Sequence, residues 1–170
     1  FAVALHEDGV ELGGVQLRML LIGERGVAVM VMVMVVIVPF GMEPGVLLVA
    51  ANKVFRSTDR GDSWTVISPD LTKNQNRNDI VTMGVKNTDI RIARNDGIQV
   101  WPTIVSLAES PKQAGVIWTG TDDGVVSVTR DAGKTWANVT ANFGGVPKWT
   151  YVADVVPSQH ADGTAYLAFD

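Results

Sequence analysis

Asp122 and Asp123 are adjacent carboxylates, the pairing used by general acid and base chemistry when one member stays protonated near neutral pH and the other ionises. Neighbours on a strand point to opposite faces, so these two can act together only from a turn. Gly124 follows them, and Asp-Asp-Gly between two runs of β-branched residues is also what a hairpin turn requires. The turn is the preferred reading, which leaves Asp122 and Asp123 as weak catalytic candidates. Trp101, Trp118 and Trp149 offer flat faces on which a sugar ring can stack, although core or hairpin packing is the preferred reading of all three. His6 and His160 are isolated and there is no cysteine, so no metal constellation, thiolate site or disulfide framework is expected. Phosphate-cradling glycine loops, nucleophile elbows and calcium loops are also missing, and no cofactor is expected. Asn138-Val139-Thr140 fits a glycosylation sequon on an expected strand.

The elements that must carry these residues read as strands. Ser57-Thr-Asp-Arg-Gly-Asp-Ser-Trp64 returns in the same chemical order as Thr129-Arg-Asp-Ala-Gly-Lys-Thr-Trp136, two copies of [S/T]-x-D-x-G-x-x-W. In each copy the Asp carboxylate (Asp59, Asp131) can accept from turn N–H groups. The Gly (Gly61, Gly133) can take a positive φ, and the Trp (Trp64, Trp136) lies back over the hairpin. Ser57 and Thr129 open the two turns. These eight positions are expected to be structural, at the periphery, and poor catalytic candidates.

The repeat extends beyond these turns. The stretch from Gly45 to Ser57 lines up with that from Gly115 to Thr129 if the second turn takes two extra residues, and a third start appears at Gly163-Thr-Ala-Tyr-Leu-Ala-Phe-Asp170. The spacing from Gly115 to Gly163 suits one four-stranded unit, whereas the longer spacing from Gly45 to Gly115 implies an insertion. The expected organisation is a divergent apolar segment over 1–38, a first unit over 39–73, an insertion over 74–97, a second unit over 98–150 and the start of a third over 151–170.

Residues 27–38 contain no polar side chain. A helix of that length would rise about 18 Å, short of the roughly 30 Å hydrocarbon core, and its valines favour a strand, so a buried strand is expected and no membrane span. At 170 residues, 46% hydrophobic and 19% charged, the chain can hold a real core. A net charge of −4 provides no basic footprint for nucleic acid. The first residue, Phe1, suggests a processed or incomplete chain.

The [S/T]-x-D-x-G-x-x-W turns resemble the Asp-box, or BNR repeat, of the β-propellers of sialidases, xyloglucanase-type glycosidases and sortilin-like receptors. Residues 54–72 and 107–124 look like large bacterial Asp-box proteins of the glycosyl hydrolase-like or sortilin-like kind. The resemblance covers about 39–170 and implies an all-β fold of antiparallel four-stranded propeller blades, two to three of them, in a fragment or a small relative that completes its ring another way. It also implies a secreted or periplasmic location. Two functions follow: an interaction module whose loops bind a protein, peptide or glycan, or a sialidase- or xyloglucanase-like hydrolase with paired carboxylates. Arg91-Ile-Ala-Arg94 superficially matches the Arg-Ile-Pro element of sialidases, but it follows the first Asp-box and lacks the proline. Unmated terminal strands and the 27–38 run lead to an expectation of self-association.

Overall fold

The computed structural model describes residues 46–92, 94 and 100–170, together with short upstream strands at 4–5, 10–12, 15–17, 20–21 and 34–36. Most of the 27–38 run and of the 1–38 segment, and residues 93 and 95–97 of the expected insertion, lie outside the described residues. Within these bounds the chain is all-β, in antiparallel sheets, with three single turns of 3-10 helix and no α-helix.

Upstream, β1 (Ala4–Leu5) pairs with β4 (Leu20–Leu21) and β2 (Val10–Leu12) with β3 (Val15–Leu17). The first four-stranded sheet runs in chain order through β5 (Met34–Val36), β6 (Leu47–Ala50), β7 (Val54–Ser57) and β8 (Thr65–Val66). Met34 pairs with Ala50, so a boundary drawn at 38/39 falls between two strands of one sheet. After it, a small arm pairs β9 (Val81–Thr82) with β10 (Val85–Lys86) inside the expected insertion. The second sheet repeats the meander with β11 (Ile104–Glu109), β12 (Ile117–Thr121), β13 (Val126–Thr129) and β14 (Ala137–Asn138). A hairpin of β15 (Val152–Pro157) and β16 (Ala165–Phe169) follows.

The three units share two cores. Leu48, Ala50 and Val54 of the first sheet meet Ile104, Leu107 and Ile117 of the second, while Trp118, Val126 and Val128 meet Val152 and Val155 of the hairpin. Neighbouring Ile117 and Trp118 thus serve opposite cores, as the two-residue period of a strand demands, and all five residues of β12 are buried. The second sheet and the hairpin approach closely at Gly120, where an added Cβ would collide with the Val152 side chain. A glycine at this point sets how near the two layers come.

Candidate functional site

An antiparallel meander sends alternate turns to opposite ends. One end carries the β7–β8 and β13–β14 turns, where both [S/T]-x-D-x-G-x-x-W sequences lie. The two copies are built alike. Ser57 Oγ donates to Asp59 Oδ1 at 2.7 Å and accepts from Gly61 N at 2.7 Å; Thr129 Oγ1 donates to Asp131 Oδ1 at 2.8 Å and accepts from Gly133 N at 3.0 Å. The amides of Ser63 and Thr135 donate to the same carboxylate oxygens at 2.9 and 2.8 Å, and their hydroxyls donate to the second oxygens. Those hydroxyl and amide donors hold both Asp carboxyls down, at a pKa of about 2. Asp59, Asp131 and their partners are therefore engaged by their own turns.

Two features of these turns escape the sequence reading. The residues before the glycines, Arg60 and Ala132, also take positive φ, 62° and 59°, because a turn of type I′ needs left-handed backbone at both central positions. Trp136 does more than cover its own hairpin: its Nε1 donates at 2.8 Å to Ile67 O, the first residue after β8 of the first sheet. The repeat also runs further than the tryptophans. Val54 N donates to Ser68 Oγ at 2.7 Å and Val126 N to Thr140 Oγ1 at 2.9 Å, so a hydroxyl four residues past each Trp caps the preceding strand pair. The Ser68/Thr140 correspondence was readable in the sequence as a longer aligned stretch.

The opposite end brings the β12–β13 turn against Lys73 and Thr103 from the connection between the two sheets and against Trp149 and Thr150 from the connection to the hairpin. Asp122 and Asp123 form this turn, 8% and 0% exposed. Thr121 Oγ1 donates to Asp123 Oδ1 at 2.6 Å and accepts from Val125 N at 2.7 Å, the same Ser/Thr-x-Asp arrangement as in the other two turns. Here the remaining Asp oxygen faces away from its own turn: Asp123 Oδ2 accepts from Lys73 N at 2.7 Å, and Lys73 Nζ donates to Asp123 O at 2.8 Å. Asp122 Oδ1 accepts from Thr103 N at 2.8 Å. Burial, together with the neighbouring Asp123 charge and against the Thr103 hydrogen bond, raises the Asp122 carboxyl to about 6. Gly124, at φ +80°, lies under the second crossover, where a Cβ would stand 2.8 Å from Thr150 O.

Above this turn sits an aromatic and a cation. Lys73 Nζ stands 3.7 Å from the Trp149 ring centroid. Trp149 is half exposed and holds a left-handed φ of 71°. Burial lowers the Lys73 ammonium, against the attraction of Asp123 and with the repulsion of Lys148. Trp118 is core, and Trp101 is partly covered with its Nε1 buried. Exposed Arg91 and Arg94 belong to the arm segment, where Arg94 donates to Asn78 Oδ1. His160 is exposed, and its carbonyl accepts from Lys112 Nζ at 3.0 Å. His6 lies outside the described residues. Among the described residues no group of three acids or histidines is placed to hold a metal, and no helix is long and apolar enough to cross a membrane.

Glu109 is a further buried acid that the sequence reading passed over. Its Oε1 accepts from Gly115 N at 2.6 Å, its Oε2 is buried without a partner, and burial raises its carboxyl, against the Gly115 hydrogen bond and the pull of Arg56. Compared with known proteins, the chain matches no family model and no curated protein.

Proposed function

We propose that the chain is a binding module made of Asp-box β-propeller blades, presenting a protein, peptide or glycan ligand with the crossover end of its sheets. The stacked four-stranded meanders and the two matching Asp turns support the propeller reading. The observation that carries the binding reading is Trp149. A half-exposed indole on left-handed backbone, braced by the Lys73 ammonium, is a costly arrangement of the kind that gathers at ligand clamps. Asp122 and Asp123 fit the hydrolase reading less well, since both are buried and already bonded to backbone N–H groups or to Thr121.

The test is titration of the chain with panels of oligosaccharides and peptides, followed by tryptophan fluorescence. A ligand that binds should lose about tenfold or more in affinity with Trp149→Ala, at an unchanged thermal midpoint. Equal affinity in that variant would rule out this surface. Aryl-glycoside turnover abolished by Asp122→Asn, with folding intact, would put the hydrolase in its place.

A further inference from the structure

Among the described residues, none between Leu71 and Ile104 is buried. The β9–β10 arm in this stretch is held by backbone pairing, Val85 with Thr82, Lys86 with Val81, and Asn87 N donating to Ile80 O at 2.9 Å. Yet four of the nine large hydrophobic side chains left exposed among the described residues, Val81, Met83, Val85 and Ile92, fall within 81–92. Met83 is the extreme case: it is 98% exposed at the tip and holds a left-handed φ of 53°, beside Gly84 at 83°. Asn or Asp suits that place in a two-residue turn better, because it tolerates both left-handed backbone and water. A methionine there costs backbone strain and apolar exposure with almost no contact inside the chain to offset them.

The apolar groups surround the tip rather than forming one patch. Val81 pairs with Lys86, the neighbour of Val85, so the two valines project to opposite faces of the ribbon. A protein surface covers one face of such a ribbon, whereas the boundary between lipid headgroups and acyl chains takes in a tip on all sides. Charge points the same way. Residues 77–94 hold four basic and two acidic side chains, a net +2 that leaves −6 for the rest of the chain. Lys86 stands on the arm and Arg91 and Arg94 follow its base; all three are exposed and outside any ion pair among the described residues. The acids, Asp79 and Asp89, sit in the 3-10 turns at the base. An anionic surface therefore attracts this segment and repels the remainder, so the molecule approaches it arm first.

We propose that the β9–β10 arm is a finger that inserts into the interface of an anionic lipid bilayer. Met83, Val81 and Val85 enter below the headgroups, the Lys86 stem lies along Val81 with its ammonium on a phosphate, and Arg91 and Arg94 stay at headgroup level. The unbranched, polarizable Met83 side chain suits a fluid medium with no fixed shape. The contact is peripheral and reversible, and it leaves both sheets and the Trp149 surface in water.

The wild-type chain should cosediment with phosphatidylcholine vesicles that contain phosphatidylglycerol and not with phosphatidylcholine alone, and high salt should release it. Met83→Asp, and separately Lys86→Glu combined with Arg91→Glu, should each raise the lipid concentration for half-binding about tenfold or more. Their thermal midpoints should stay at the wild-type value, because the arm supplies no residue to either core. The chain has no cysteine, so a fluorophore sensitive to polarity can be placed by Met83→Cys. Its emission should shift to the blue on the anionic vesicles, while the same label on Ala161→Cys, exposed in the β15–β16 turn, should not shift. No cosedimentation at about 5 mM anionic lipid, well past the half-point of a single myristoyl chain, would overturn the proposal and leave a pocket of another protein as the occupant of the tip. Vesicle binding that Met83→Asp leaves unchanged would overturn it too.

Discussion

The two ends of the sheet stack use one local device in opposite ways. At both ends a Ser or Thr hydroxyl donates to an Asp two residues on and accepts from an amide four residues on. In the two [S/T]-x-D-x-G-x-x-W turns the Asp stays near the surface and its second oxygen accepts from Ser63 or Thr135 of the same turn, so the turn is closed on itself. In the Thr121–Val125 turn the Asp is buried and spends that oxygen on Lys73, fifty residues away in sequence. One motif therefore sets a local turn at one end and fastens a long crossover at the other. Its energetic weight follows from burial and from the range of its partners.

The sharpest break of this comparison is Asp123→Ala. It strips the acceptor from Thr121 Oγ1 and Lys73 N in a site without solvent, and should cost about 3–5 kcal/mol in denaturant unfolding. Asp59→Ala and Asp131→Ala remove the same local bonds in water and should each cost clearly less. A larger loss at Asp131 than at Asp123 would invert the ranking.

Trp136→Phe probes how the box end is tied to the neighbouring sheet. It keeps most of the packing against the first core while leaving Ile67 O without its donor, a loss of about 1–2 kcal/mol. Trp136→Ala adds a cavity and should approach about 3–5 kcal/mol. If the two variants unfolded at the same midpoint, the indole would be acting through its hydrogen bond alone.

The ends should also respond to pH with opposite signs. Asp59 and Asp131 are held at about 2 in the folded chain against 3.8 unfolded, so the stability they confer is present above about pH 4 and lost as pH falls towards 2. Asp122 is raised to about 6, so the folded chain binds its proton more tightly; that advantage is full below about pH 4 and is lost as pH rises through 6. Its full span is on the order of 3 kcal/mol. Stability should therefore peak near pH 4–5, and Asp122→Asn should flatten the descending limb, leaving the smaller same-signed contribution of Glu109. A wild-type profile rising steadily from pH 4 to 7 would contradict this assignment.

What was legible in the sequence follows the range of the interactions. The all-β class, the antiparallel strands and the two [S/T]-x-D-x-G-x-x-W turns rest on residues within eight positions of one another, and composition and spacing carry them. Asp122-Asp123-Gly124 reads as a hairpin turn, and the turn is there, but that Thr121-Asp122-Asp123 repeats the Ser/Thr-x-Asp device of the other two turns went unread because the adjacent carboxylates were weighed as a pair. The burial of Asp123, the reach of Trp136 to Ile67 and the cradle of Gly124 under Thr150 depend on how separate layers meet. Nothing in the local pattern encodes that meeting. Trp149 likewise looked like one of three equivalent indoles until Trp118 was buried and Trp149 was left half exposed.

The smallest expected effect concerns the residue before each box glycine. Ala132 takes φ 59° because the type I′ turn imposes it, and its amide is also fixed to Gly115 O at 3.0 Å. A Cβ disfavours that conformation, so Ala132→Gly relieves strain in the folded chain while adding freedom to the unfolded one, and the two nearly offset. The net gain should be below about 1 kcal/mol. Arg60, at φ 62°, should show a similar gain on Arg60→Asn, since Asn tolerates left-handed backbone without glycine's entropy. Thermal midpoints that fall by several degrees for both substitutions would mean that the side chains of Arg60 and Ala132 stabilise the box end through contacts stronger than the strain they impose.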